Sequence, residues 1–276
     1  MTAMLPQGAC DCHLHVFERG YALAPMATFT PPLAPATRYR EVQRALGLQR
    51  AVVVQPTGYG FDNACTQAAV AELAQGGMDA RGVATVPLSV SDEELDQLHQ
   101  SGIRGVRFMM LPGGLLPWSH LEPMAVRLAA RGWHINLQLN GHELPQHEPM
   151  LLRLPCRLAI DHIGKFLGPV DTQNSAFASL RRILDHGKAW IKLSAPYESS
   201  GSGPPGYTDI APLVQALAAS HPERCLWASN WPHLNVMPVP SNSALLDWTL
   251  RLAGDAPMRQ RLLVDNPAEL YGFEAL

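Results

Sequence analysis

The sequence predicts one α/β domain over residues 1–276, a (β/α)8 TIM barrel with parallel strands. Three observations predict it. Short apolar runs alternate with amphipathic stretches from one end to the other, which joins parallel strands by helical crossovers. Eight such runs occur, the number that closes a parallel sheet into a barrel. Polar and ionisable residues gather at the ends of those runs, where this architecture keeps its active site. The length of 276 residues suits a single barrel domain.

The elements follow in order. Strand one is Ala9–Val16, and a Pro-rich connection (Pro25, Pro31, Pro32, Pro35) follows, long enough to fold over a site. Helix one is Thr37–Leu46, stopped by Gly47. Strand two is Ala51–Gln55, ended by Pro56. Asp62 or Asn63 can cap the helix Ala64–Gln75, which Gly76 and Gly77 close. Strand three is Gly82–Pro87. Ser91-Asp92-Glu93-Glu94 is a capping box for the helix that ends at Gly102. Strand four is Ile103–Met109, with Arg107 facing inward, and helix four is Leu121–Ala130. Strand five is His134–Asn140 and strand six Arg157–His162, with no helix assigned between them. Helix six is Ser175–Leu184, strand seven Trp190–Ser194, helix seven Asp209–Ala219 and strand eight Cys225–Asn230. Helices at Ser243–Leu252 and Pro257–Leu263 and a turn at Pro267–Tyr271 finish the chain.

Composition narrows the function. Hydrophobic residues make up 47 % and the formal net charge is −3. No basic block occurs, so nucleic acid is not an expected partner. Met1–Gly8 lacks a basic start and an apolar run, and no apolar stretch approaches ~18 residues, so neither a signal peptide nor a membrane span is expected. The 5 cysteines form no CxxC pair and sit mostly in apolar runs, which reads as reduced core thiols in a cytoplasmic protein. The expected partner is a small molecule; oligomeric state is not legible.

The chemistry starts at Cys10-Asp11-Cys12-His13-Leu14-His15. Period-two reading puts Asp11, His13 and His15 on one face of strand one, two imidazoles side by side. Other strand ends add Gln55, Arg107, Gln138, His162, Ser194 and Asn230. Lys165 follows strand six, Tyr197 follows strand seven, and His233 follows strand eight in Trp231-Pro232-His233. His134 reads as a structural polar residue. Asp161 should point opposite to His162 into the barrel wall, and Lys192 outward or against neighbouring strands.

With His13-x-His15 on strand one, Ile160-Asp161-His162-Ile163-Gly164 on strand six and Leu226-Trp227-Ala228-Ser229-Asn230-Trp231-Pro232-His233 on strand eight, the chain resembles the amidohydrolase superfamily (amidohydrolase family 2). The match is to its lactonase group, that of 2-pyrone-4,6-dicarboxylate lactonases and D-galactarolactone isomerases. Gly60-Phe61-Asp62-Asn63 and Gly102-Ile103-Arg104-Gly105-Val106-Arg107-Phe108 support it. The resemblance spans nearly the whole chain and implies the barrel and action on a lactone. It also implies, in metal-binding members, ligands from strands one, four, five, six and eight. Here strand four offers Arg107, strand five Gln138 or Asn140, and strand eight Asn230 where aspartate is usual. A guanidinium in and a carboxylate out works against a divalent cation, so no cofactor is expected. Were zinc bound, His13, His15 and His162 would hold it.

Opening a lactone needs a polarised carbonyl and a nucleophile that loses its proton. His13, His15, His162 and Arg107 can serve the carbonyl oxygen. Lys165 and Arg107 can hold a substrate carboxylate. Tyr197, Ser194, Gln55 and Gln138 can bind substrate hydroxyls, and His233 can orient Asn230 or shuttle a proton. The resemblance ascribes the base to the strand-eight aspartate, a role Asn230 leaves vacant. Either His15 or His233 then activates water, or a substrate hydroxyl attacks. The second reading gives isomerisation of a sugar-diacid lactone, of the D-galactaro-1,5-lactone to 1,4-lactone type. The first gives a lactone hydrolase, or a hydrolase with an engineered asparagine at 230. A barrel that only binds a sugar acid is a third reading. Glu198, where a further arginine would suit a second carboxylate, favours a ligand with one carboxylate and several hydroxyls.

Overall fold

The computed structural model describes residues 4–274. The ends of the expected 1–276 domain, and the first residues of Met1–Gly8, lie outside the described residues. Eight parallel strands run in sequence order around one sheet: β1 (Cys10–Leu14), β2 (Arg50–Val54), β3 (Asp79–Ala84), β4 (Ile103–Met109), β5 (His134–Gln138), β6 (Arg157–Ile160), β7 (Ala189–Leu193) and β8 (Cys225–Trp227). The barrel closes by backbone bonds between β1 and the segment after β8: His15 N to Trp231 O at 2.8 Å and Asn230 N to His13 O at 2.9 Å.

Helices α1 (Ala36–Leu46), α2 (Ala64–Gln75), α3 (Asp92–Gln100), α4 (Leu121–Ala129), α5 (Leu144–Arg153), α6 (Ser175–Asp185) and α7 (Ala211–Ser220) form the outer layer, each following its strand. α8 (Asn242–Ala253), α9 (Ala256–Gln260), a single π turn at Arg261–Asp265 and α10 (Asn266–Tyr271) complete it. No helix of the described residues is long and apolar enough to cross a membrane. All five cysteines are buried and unpaired.

Local chemistry explains most boundaries. Ser91 Oγ accepts from Glu94 N at 3.0 Å and starts α3. Asp62 Oδ1 accepts from Ala64 N at 3.0 Å at the start of α2. That leaves the Asn63 side chain free for another task. It receives Thr85 N at 2.8 Å and donates to Thr85 O at 2.9 Å, tying α2 to the end of β3. β3 lies three residues earlier than expected, because Asp79 and Arg81 are partly exposed and ion-paired and so hide the strand's apolar alternation. α5, unassigned in the sequence, carries Pro145 in its first turn and Pro149 inside. Proline is tolerated in the first turn, but an interior one is a strong breaker that tertiary packing here overrides.

β1 departs from simple alternation. Its register with β2 shifts between Asp11 and Leu14. Asp11, between the inward-facing Cys10 and Cys12, points to the helical layer, where Tyr39 of α1 donates to Oδ2 at 2.9 Å and Ser229 N to Oδ1 at 2.8 Å; the shift after it turns His13 inward. His13 and His15 face the barrel interior instead, so the expected common face of Asp11, His13 and His15 is corrected. Below them Cys10, Cys12, Val52, Val54, Ala159 and Trp190 fill the barrel, and Tyr271 of α10 seals its base. His134 is buried there, edge-on to Tyr271 at 5.1 Å.

Candidate active site

The floor of the site is a buried chain of polar groups. His15 donates through Nδ1 to the Val54 carbonyl at 2.7 Å, because a carbonyl can only accept. Its Nε2 is then the acceptor of the 3.2 Å bond to His13 Nε2. His13 Nδ1 in turn accepts from Lys192 Nζ at 3.0 Å. The same ammonium lies 3.0 Å from Asp161 Oδ1 and donates to Asn136 Oδ1. Asn136 Nδ2 donates to Asp161 Oδ2 at 2.8 Å. Lys192, expected outward or against neighbouring strands, is 0 % exposed inside the barrel, and Asp161, expected in the wall, stands beside it. A buried ammonium demands a carboxylate and acceptors, and this one has them.

Charge in this network is settled by burial. Desolvation, with Lys192 beside it, drives His13 well below the usual imidazole range. Desolvation and Arg107 lower His15 to about 3. Burial alone would raise Asp161, yet Lys192 beside it outweighs that and holds the carboxyl well below the usual range. The floor therefore reads as ammonium, carboxylate and two neutral imidazoles in one fixed tautomer.

The strand tips owe their aim to left-handed backbone. His162 (φ 54°) and Ile163 (φ 59°) follow β6, Ala195 (φ 47°) follows β7, and Asn230 (φ 59°) and His233 (φ 64°) follow β8. A β-branched residue at positive φ is strained, and such strain gathers at functional sites. The reversal at His162 lets two consecutive residues, Asp161 and His162, serve one site: the rings of His13 and His162 lie 5.0 Å apart. Ser194 Oγ meets His162 Nδ1 at 3.0 Å, so it orients the imidazole.

Above the floor opens a cavity of about 220 Å³, lined by His15, Arg107, Gln138, His162, Lys165, Glu198 and Asn230, with Thr28 and Phe29 of the Pro-rich connection over it. Arg107 is held rigidly, donating to Gln55 O at 2.9 Å and to Gln138 Oε1 at 2.8 Å. Lys165 pairs with Glu198, and Asn230 Nδ2 donates to Glu198 Oε1 at 3.1 Å and to Tyr197 Oη at 2.9 Å.

Five expected roles change. The Gln55 side chain donates to Gly60 O and Asp62 O and accepts from Thr66, away from the cavity; only its carbonyl serves the site, through Arg107. Ser194 and Tyr197 hold His162 and Asn230 rather than lining the cavity. His233 spends Nδ1 on Tyr197 Oη and Nε2 on Asn242 Oδ1, each at 2.9 Å, so its imidazole reaches the Asn230 side chain only through Tyr197. His13 lies beneath His15, outside the cavity lining. His15, His162, Arg107, Gln138, Lys165 and Asn230 meet at the cavity. Two residues that matter were not placed in the site, Lys192 and Asn136, whose period-two register with Trp190 and His134 was the available signal; Glu198, read only as arguing against a second substrate carboxylate, pairs with Lys165 and Asn230.

The donor set does not suit a divalent cation. His13, Asp161 and His162 bring ligand atoms within 4.8 Å of one another. But His13 Nδ1 and Asp161 Oδ1 already share the Lys192 ammonium, and a second cation there would meet a charge at ion-pair distance. Arg107 adds another cation close by.

Comparisons with known proteins agree with this architecture. The amidohydrolase family profile matches residues 10–273. A 2-pyrone-4,6-dicarboxylate hydrolase of Comamonas testosteroni is 36 % identical over 281 residues, covering 97 % of this chain and 91 % of that one. A D-galactarolactone isomerase of Agrobacterium fabrum is 34 % identical over 271 residues, covering 96 % and 91 %. An apo crystal structure of an Agrobacterium tumefaciens protein superposes with a TM-score of 0.93 at 33 % identity, over 99 % of this chain and 98 % of that one.

Proposed function

The chain belongs to the amidohydrolase family, and from that premise we propose that it isomerises a sugar-diacid lactone, of the 1,5- to 1,4-lactone type, without metal or other cofactor. The observation that carries this reading is the amide at the strand-eight tip. Asn230 faces the cavity and cannot take a proton from water there. Attack by a hydroxyl of the substrate itself needs less help, since well-oriented intramolecular reactions gain effective molarities on the order of 10⁵–10⁸ M. Arg107, pinned by Gln138 and the Gln55 carbonyl, is a preorganised cation for the carbonyl oxygen or a carboxylate. The cavity volume suits a compact ring with polar substituents. Metal-free operation is supported by Lys192, whose ammonium already neutralises Asp161. Reduced, unpaired cysteines support a cytoplasmic setting.

Hydrolysis of a lactone is the second reading, favoured by the 36 % identity to a hydrolase. One experiment separates them. D-galactaro-1,5-lactone is followed by NMR with protein purified without a histidine tag, with and without chelator. Isomerisation gives the 1,4-lactone before any free diacid, at a rate the chelator leaves unchanged. Diacid as first product overturns isomerisation, and a requirement for stoichiometric zinc overturns the metal-free reading. Asn230→Asp is expected to shift product towards free acid.

A further inference from the structure

We propose that Glu198, on the loop after β7, is the catalytic proton acceptor of this site; this rests on the lactone reading above. The argument begins with which lining groups can take a proton. The Nε2 lone pair of His15 is occupied by His13, and its Nδ1 proton by Val54 O. His162 commits Nδ1 to Ser194 and offers at most a neutral Nε2, where Glu198 offers a carboxylate. His233 has both nitrogens engaged and does not line the cavity. Arg107 and Lys165 are cations. Among the described lining residues Glu198 is the one anion.

Its surroundings hold it in the base form. Lys165 pairs with Oε2, and Asn230 donates to Oε1. Burial would raise the carboxyl, but His162, Lys165 and the Asn230 amide outweigh it and keep the group below the usual range. This gives the amide at 230 a reason. An aspartate there would stand at hydrogen-bond distance from a second carboxylate, and two such groups do not both ionise. The amide donor stabilises the anion that an aspartate would repel. Tyr197 accepts from the same Asn230 nitrogen, so the amide presents its NH2 side to Glu198.

The step balances without any added reactant. Glu198 takes the proton of the attacking substrate hydroxyl as its oxygen bonds to the lactone carbonyl carbon. The tetrahedral oxyanion collapses, the original ring C–O bond breaks, and protonated Glu198 returns the proton to the departing alkoxide.

The test compares wild type, Glu198→Gln, Glu198→Asp and Lys165→Met on D-galactaro-1,5-lactone, with kcat, KM and the pH profile of each. Removing a positioned base costs about 10²–10⁴ in rate. Glu198→Gln is expected to lose kcat by that factor with KM changed by no more than about tenfold, and to lose the acid limb of the profile. Glu198→Asp, which keeps the charge, is expected to retain the limb and part of the rate, which guards against a folding defect. Lys165→Met is expected to move the limb to higher pH by removing a cation from the carboxylate. A Glu198→Gln protein within about tenfold of wild-type kcat, or one whose loss falls on KM with the acid limb intact, overturns the proposal. A wild type inert on lactones overturns instead the reading on which the proposal rests.

Discussion

Lys192 carries a full charge at 0 % exposure, and its cost is met by three neighbours within one barrel layer. Lys192→Met leaves Asp161 buried with one imidazole and one amide for company. Breaking a buried pair in this way costs about 3–5 kcal/mol. The measurement is a denaturant midpoint, and the double variant Lys192→Met/Asp161→Asn is expected to be more stable than the sum of the single losses, by at least ~1 kcal/mol. Strict additivity would mean that the two groups do not interact. At this scale the sequence was legible where a residue's type limits it: His15, Arg107, His162 and Asn230 are found where strand periodicity and left-handed turns can deliver them. Gln55 was not, because the last residue of a strand can face either way and Thr66 captured it. Glu198 was legible only as a residue against a second substrate carboxylate, because a loop glutamate carries no periodic signal to show its partners.

The elements are held in place by polar clamps as well as by packing. Asn63 reaches both backbone groups of Thr85, so one side chain fixes the mouth of β3 against α2. Asn63→Ala leaves a buried N–H and C=O unpaired, and is expected to cost about 1–3 kcal/mol in thermal or denaturant unfolding. It is also expected to leave the cavity chemistry alone, since neither residue lines it; an unchanged midpoint would contradict the clamp. Elements with clean periodicity and caps, such as α2 at Ala64–Gln75 and β4 at Ile103–Met109, lie at the expected boundaries. α5 escaped because two prolines outweigh its apolar spacing in any local reading. β1 escaped in detail because a register shift is a property of two strands, and only β2 reveals it.

The molecule as a whole stores several neutral imidazoles and one deeply held carboxylate in its barrel. Unfolded histidine binds a proton below about 6.5. His15 and His134, each lowered by burial above all, bind theirs only near 3. Between those values the unfolded chain holds more protons, so stability rises with pH and is lost as pH falls from about 6.5 towards 3. Asp161, depressed against its unfolded value, adds to the loss further down the same range. Unfolding free energy measured at pH 7.5, 6, 5 and 4 is expected to decline by several kcal/mol, an order-of-magnitude figure. A flat profile would show that these groups titrate alike folded and unfolded.

The chain alone determined the closed parallel barrel and the family of its chemistry, because alternation of strand and helix signals and residue types at strand ends are local properties. Only the tertiary structure decided which polar groups share a site. Lys192, Asp161 and His13 meet across three strands, and Glu198 faces Asn230 from a neighbouring loop. Such meetings depend on barrel closure and backbone turns at positive φ, which bring together residues far apart in sequence and leave no mark in the spacing of any one segment.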